Sequence, residues 1–189
     1  VVEQLLDVAA RAPSGTNIQP WRVLALAGEP LAAFTLGLVA AWRAERAGGG
    51  EADGPEHAYY PSPLFEPYIG RRRKIAWDLY GLLGIARGER DKASAHVERN
   101  LRFFGSPVGL LLLADRRLGI GSWIDLGMFL QNIGIAARAR GLYTCPMAIF
   151  AEHPSAIRRL LCVSGQDHVI CGMAIGHEDR GAPANTLRA

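Results

Sequence analysis

Reactive side chains are scarce in this chain, and none falls into a catalytic pattern. Only 3 cysteines occur among 189 residues, Cys145, Cys162 and Cys171. An odd number without a CxxC pair excludes a disulfide framework and offers no zinc spacing. All three lie in apolar stretches and read as buried free thiols in a reducing, cytoplasmic setting. The 5 histidines (His57, His96, His153, His168 and His177) are scattered. There is no HExxH and no pair at i, i+4, so no metal site is expected, and each reads as a surface or capping residue. A GxSxG elbow and a GxxxxGK[ST] phosphate loop are both missing. Long hydrophobic runs are missing too. The longest, from Trp123, is broken by Asp125, Gln131 and Asn132 before it could cross a bilayer. The N-terminus shows no charged region followed by an apolar run, so no signal peptide is expected.

What is present describes a globular chain. Hydrophobic residues make up 49% and charged residues 21%, enough apolar content for a core and too much for disorder. The formal charge of +3 comes mostly from arginine. No basic stripe is interleaved with aromatics, which argues against nucleic acid and leaves small anions as partners. The length suits one domain over 1–189, with a flexible glycine-rich and acidic loop near 47–68.

Val2, Leu5, Leu6 and Ala9 follow helical spacing, and Pro13 ends that helix. A short strand is predicted over 23–27, helices over 31–46, 71–86 and 91–104, and a two-sided apolar strand over 108–114. A long helix over 121–140 carries Trp123, Leu126, Leu130, Ile133 and Ala137 on one face. Ile124, Met128 and Ile135 lie on another, so this helix needs cover on more than one side, and a second subunit is a natural source. An extended stretch over 144–150, a short helix over 153–161 and a two-sided strand over 168–175 follow. Helices that outnumber strands without strict alternation predict an α+β fold around a small central mixed sheet.

Two motifs admit plain structural readings. Gly119-Ile120-Gly121 resembles the start of a dinucleotide fingerprint, but position 124 is Ile; a tight turn into the long helix suffices. Arg71-Arg72-Arg73-Lys74 points in all directions on a helix and reads first as a solvated end. Its alternative is a contact to an acidic substrate or a phosphate.

The segment Ala12-Pro13-Ser14-Gly15-Thr16-Asn17-Ile18-Gln19-Pro20-Trp21 gathers several hydrogen-bonding groups and no strong acid or base. Such a loop suits a planar heteroaromatic with carbonyls and ring nitrogens. An ordinary helix-to-strand turn with an Asn-capped bend has the same composition.

This segment, APSGTNIQPW, resembles the APSxxNxQPW signature of the FMN-dependent nitroreductase family. GLYTCPM at 141–147 is similar to that family's GLxTCP segment, which runs along the flavin. CGMAIG at 171–176, followed by APAN at 182–185, resembles its last strand and exit. GSWIDLGMFLQN at 121–132 is similar to the long core helix of a bacterial subgroup.

The resemblance implies an intertwined α+β homodimer with two FMN sites at the subunit interface. It implies a ping-pong cycle in which NADH or NADPH reduces flavin N5 and a small aromatic acceptor then takes the electrons. The cofactor carries the chemistry, so no catalytic side chain is expected. Pro13, Ser14, Gly15 and Asn17 would contact FMN, with Gln19 nearby. Pro146 and Met147 would lie against the other face or edge of the ring and offer backbone donors. Arg188, with Arg180 second, would hold the phosphate, because bidentate arginine suits that group. Further arginine-bearing phosphate-binding segments of the family are expected beyond both ends of this sequence. The 48–67 segment would cover the substrate pocket. The expected acceptors are nitroaromatics. Quinone reduction, dehalogenation or non-catalytic flavin binding are the alternatives on the same fold.

Overall fold

A computed structural model describes residues 1–49 and 54–187. Four strands form one sheet: β1 (Arg22–Ala27), β2 (Val108–Asp115), β3 (Tyr143–Met147) and β4 (Asp167–Gly176). Their order is β1-β2-β4-β3, which leaves β1 and β3 at the edges. Every pairing among the described residues is antiparallel, where a mixed sheet was expected. Strand direction depends on where the intervening helices deliver the chain, and local periodicity does not encode that.

The helices are α1 (Val2–Ala9), α2 (Gly28–Arg46), α3 (Tyr68–Leu82), α4 (Arg90–Leu101), α5 (Ile120–Arg138) and α6 (Pro154–Leu161). Each answers to a predicted element, with ends shifted by a few residues. Gly119 caps α5 in an extended conformation, so the glycine pair there is the tight turn expected of it.

The two apolar strands, β2 and β4, divide the core into two halves. Leu110, Leu112 and Ala114 of β2 face α1 and α5, where they meet Leu5, Leu126, Phe129 and Ile133. Leu111 and Leu113 face the other way, toward Phe34 and Leu38 of α2, Phe150, and Ile157 of α6. This alternation is the period-two geometry of a strand. On β4 the phase slips once: Leu112 pairs with Cys171 but Leu113 pairs with Val169, so Ile170 is an extra residue. The bulge places Ile170 and Cys171 on the same side. At Gly172 of β4 the ring of Phe150 occupies the space a Cβ would need, which requires glycine there.

α5 and α3 differ sharply. α5 buries Leu126, Phe129, Ile133, Ala136 and Ala137, while Ile120, Ile124 and Ile135 on its outer side are 85%, 65% and 60% exposed. Of the predicted second face, Ile124 and Ile135 are open, whereas Met128 packs half-buried against the core. α3 buries no residue at all, and its Trp77 is 64% exposed. Among the described residues no helix is long and apolar enough to cross a membrane.

Candidate functional site

The 12–21 segment lies over the N-terminal half of α5. Ala12 and the ring of Trp21 join the core on that side, and Trp21 stacks on Phe129 with centroids 4.9 Å apart and planes 10° apart. Between these anchors the chain makes one turn of 3-10 helix, Gly15–Asn17. The Asn17 N–H donates to the Ser14 carbonyl at 3.0 Å and the Ile18 N–H to the Gly15 carbonyl at 3.1 Å. The Gln19 N–H donates to Ser14 Oγ, and Gln19 Nε2 to Asn17 Oδ1, both at 3.0 Å. The Gly15 N–H donates across 110 residues of sequence to Asp125 Oδ2 on α5, at 3.2 Å.

Three residues of this turn sit in the left-handed region: Thr16 at φ 48°, Asn17 at 61° and Gln19 at 50°. A β-branched threonine there is unusual, and such conformations persist where surrounding contacts over-determine them. Pro13, Gly15, Thr16, Asn17 and Gln19 are exposed and Ser14 is half-buried. Apart from its neighbours in the chain, nothing lies within 4 Å of where a Cβ on Gly15 would sit. The predicted residues Pro13, Ser14, Gly15, Asn17 and Gln19 are therefore gathered into one exposed, polar turn with open space beside it.

Pro146 and Met147 are elsewhere. They end β3, the sheet edge opposite β1, into which the 12–21 segment runs. Three inter-strand spacings separate the two edges, about 14 Å. The contacts of β3 with α5 fall at the helix's other end: Gly134 lies beside Thr144, and the Arg138 guanidinium sits 4.0 Å over the Tyr143 ring. Pro146 is exposed, whereas the Met147 side chain is buried with Phe150 and Ala174. Only the backbone of Met147 is left to face a ligand. Arg188 lies outside the described residues, and Arg180 is exposed on the segment after β4.

A second polar cluster closes the end of the sheet where β2 finishes and β4 begins. Glu56 accepts hydrogen bonds from Arg158 of α6 and from Arg116, one of them from Arg158 Nη2 at 2.8 Å. Burial pushes the Glu56 carboxyl up, but the hydrogen bonds from Arg158 and Arg116 outweigh this and hold it below the ordinary carboxylate value. His57 packs edge-on against Trp123 at 4.7 Å and lies 5.5 Å from His168; burial and then His168 push its pKa down, against Glu56. Arg117 and Asp115 form a second pair, which keeps Asp115 well below the usual carboxylate range.

Some expectations need correction here. Residues 50–53 of the predicted flexible loop lie outside the described residues, and 54–67 is irregular as expected but fastened at Glu56 and His57. His57, His96 and His168 are half-buried and cap no helix, whereas His153 stands at the N-cap position of α6, buried and 3.8 Å from Glu45. All three cysteines are free, but only Cys171 is buried, its thiol pushed up to about 12; Cys145 and Cys162 are exposed. Among the described residues no cluster of metal-ligating side chains occurs. Asp125 and Glu56 were missed. A lone acid inside an apolar helix is the available signal for the first, since buried carboxylates need a partner.

The family model for nitroreductases matches residues 1–177. Chloronitrobenzene nitroreductase of Comamonas testosteroni is 38% identical over 187 residues, 99% of this chain and 81% of the relative. The 4-nitrobenzoate reductase of Pseudomonas putida is 36% identical over 189 residues, 100% of this chain and 80% of the relative. Among solved structures, the FMN and NADPH-dependent nitroreductase NfnB from Sphigopyxis sp. strain HMH superposes with a TM-score of 0.92 at 34% identity, covering 99% of this chain and 82% of that one. NfnB from Mycobacterium smegmatis, solved in complex with NADPH, gives 0.90 at 27% identity, with 99% and 81% covered. Likeness of this extent in both sequence and backbone makes the chain a member of the nitroreductase family.

Proposed function

We propose that this protein is an FMN-dependent oxidoreductase that takes hydride from NADH or NADPH and reduces nitroaromatic compounds, working as a homodimer in the cytoplasm. The reading rests on one observation above all. The turn over 13–19, the part of the chain most like the family signature, is exposed, rich in neutral hydrogen-bonding groups and free of acids and bases.

These residues fit a flavin. The Asn17 Oδ1 is taken by Gln19, which leaves the Asn17 amide N–H groups to donate to ring carbonyls or nitrogens. Open space at Gly15 admits a flat ring close to the backbone. Bound FMN would supply two-electron chemistry at N5, for which the side chains here have no counterpart. The chain's share is to bind and orient: Pro13, Ser14, Gly15, Asn17 and Gln19 on one side, Pro146 and the Met147 backbone on the other. Arg188 and Arg180 are the proposed phosphate ligands.

The two groups of residues belong to opposite sides of the sheet, one on the segment that leads into the edge strand β1 and the other at the end of the edge strand β3, so one flavin contacts both most simply when they come from different chains. The open stripe of α5, with Ile120, Ile124, Gly127 and Ile135 in helical register, offers a surface for that pairing. Free thiols fit a reducing compartment.

The relatives named for chloronitrobenzene and 4-nitrobenzoate carry the choice of acceptor. An anaerobic acceptor screen on FMN-loaded, NADPH-reduced protein tests it. Reoxidation fastest with nitroaromatics is expected. Faster reoxidation by quinones or halogenated phenols would move the assignment to those substrates, and a flavin that NADH and NADPH cannot bleach would leave a binding protein.

A further inference from the structure

Asp125 has no part in the function proposed above, yet it is 7% exposed, the one acid of α5, in the helix's N-terminal half. Burying a carboxylate is costly unless it is hydrogen-bonded, so its partner is informative. That partner is the Gly15 N–H at 3.2 Å.

Gly15 is the point on which the turn hangs. Its carbonyl accepts from Ile18, and the Ser14 carbonyl and hydroxyl just before it accept from Asn17 and Gln19. Holding the Gly15 amide therefore sets the direction of the whole turn. The turn needs such a hold, because Thr16, Asn17 and Gln19 adopt left-handed conformations that a free chain seldom keeps. The second anchor is Phe129, which stacks on Trp21. Asp125 and Phe129 are four residues apart on α5 and both buried, so one helix face grips the segment at two places.

We propose that Asp125 is a positioning residue: its carboxylate, carried on α5, fixes the Gly15 amide and presets the 14–19 turn to receive the cofactor. The consequence for cofactor binding rests on the flavin reading above; the tie itself does not. What matters in this role is an acceptor oxygen at the right place, and an amide oxygen would serve.

Two measurements on Asp125→Asn, Asp125→Ala and Asp125→Leu test this. Amide hydrogen exchange without cofactor should find the Gly15 N–H protected in the parent and in Asp125→Asn. It should exchange about tenfold faster or more in the Ala and Leu variants, which lose the acceptor. Leu fills the space that Ala leaves, so a loss common to both is not a cavity effect. Titration of FMN into apo-protein, read by quenching of flavin fluorescence, should give an unchanged Kd for Asp125→Asn. The Ala and Leu variants should bind about tenfold more weakly or worse. Gly15 equally protected in every variant, or Asp125→Asn as impaired as Asp125→Ala, would overturn the proposal. A parent protein that binds no FMN would instead sink the functional reading while leaving the exchange result to judge the tie.

Discussion

α5 and α3 are both long helices, but the fold uses them in opposite ways. α5 buries one face in the core, grips the 12–21 segment, and leaves a second apolar face open. α3 buries nothing; it carries the cations Arg71 to Lys74 outward, with the Arg71 guanidinium 5.8 Å over Tyr68 and the Arg72 guanidinium 5.4 Å over Tyr60. All four cations of the run are exposed, as on a solvated helix end. The pair teaches that the apolar content of a helix says how much cover it needs, and that its interruptions say what it holds.

If that contrast is right, substitutions on α5 should be costly and those on α3 nearly silent. The largest effect is expected for Phe129→Ala, which removes a fully buried ring and its stack on Trp21. A loss of about 3–5 kcal/mol is expected by analogy with large-to-small core changes, read from urea unfolding. Next comes Gly127→Leu. Outside the backbone of α5 itself nothing lies within 4 Å of the added Cβ, so the subunit should fold normally. The dimer should nevertheless weaken, by about tenfold or more in sedimentation, if a second copy packs closely there. A variant that remains as dimeric as the parent would show that α5 is not the contact.

A smaller effect is expected for Glu56→Gln, since the amide keeps the shape but loses the charge that Arg158 and Arg116 hold. Loss of charge-assisted hydrogen bonds costs about 1–3 kcal/mol, and hydrogen exchange over 54–60 should rise. Acid should do the same to the parent. Because the folded pKa of Glu56 lies below its ordinary 4.5, its stabilisation is complete above that value and is lost as pH falls through the lower folded one. His57 adds a loss that begins earlier, since its folded pKa lies below the ordinary 6.5 and unfolding takes up a proton as pH falls past that value. Exchange over 54–60 that is indifferent to pH would contradict this fastening. The smallest effect is expected for Trp77→Ala on α3, within about 0.5 kcal/mol of the parent, as for surface positions generally.

Much of the architecture was legible because its signals are local. Apolar spacing located α1 and α5, and the apolar runs over 108–114 and 168–175 identified two strands covered on both faces. The polar turn over 13–19 was legible for the same reason. What escaped depends on partners far along the chain. The antiparallel sheet, the bulge at Ile170, the 110-residue tie from Gly15 to Asp125 and the 102-residue pairing of Glu56 with Arg158 are set by tertiary paths. Burial of Cys171 but not of Cys145 or Cys162 has the same origin, because similar apolar neighbours in sequence end up at different depths in space.

The central claim is that two chains together hold one flavin through opposite sheet edges. Sedimentation followed at the flavin absorbance tests it directly, using FMN-loaded protein diluted through the dimer–monomer transition. The account predicts that the yellow colour travels with a species of twice the 20.4 kDa chain mass and is released as that species dissociates. Flavin that stays bound to monomers with undiminished affinity would contradict it.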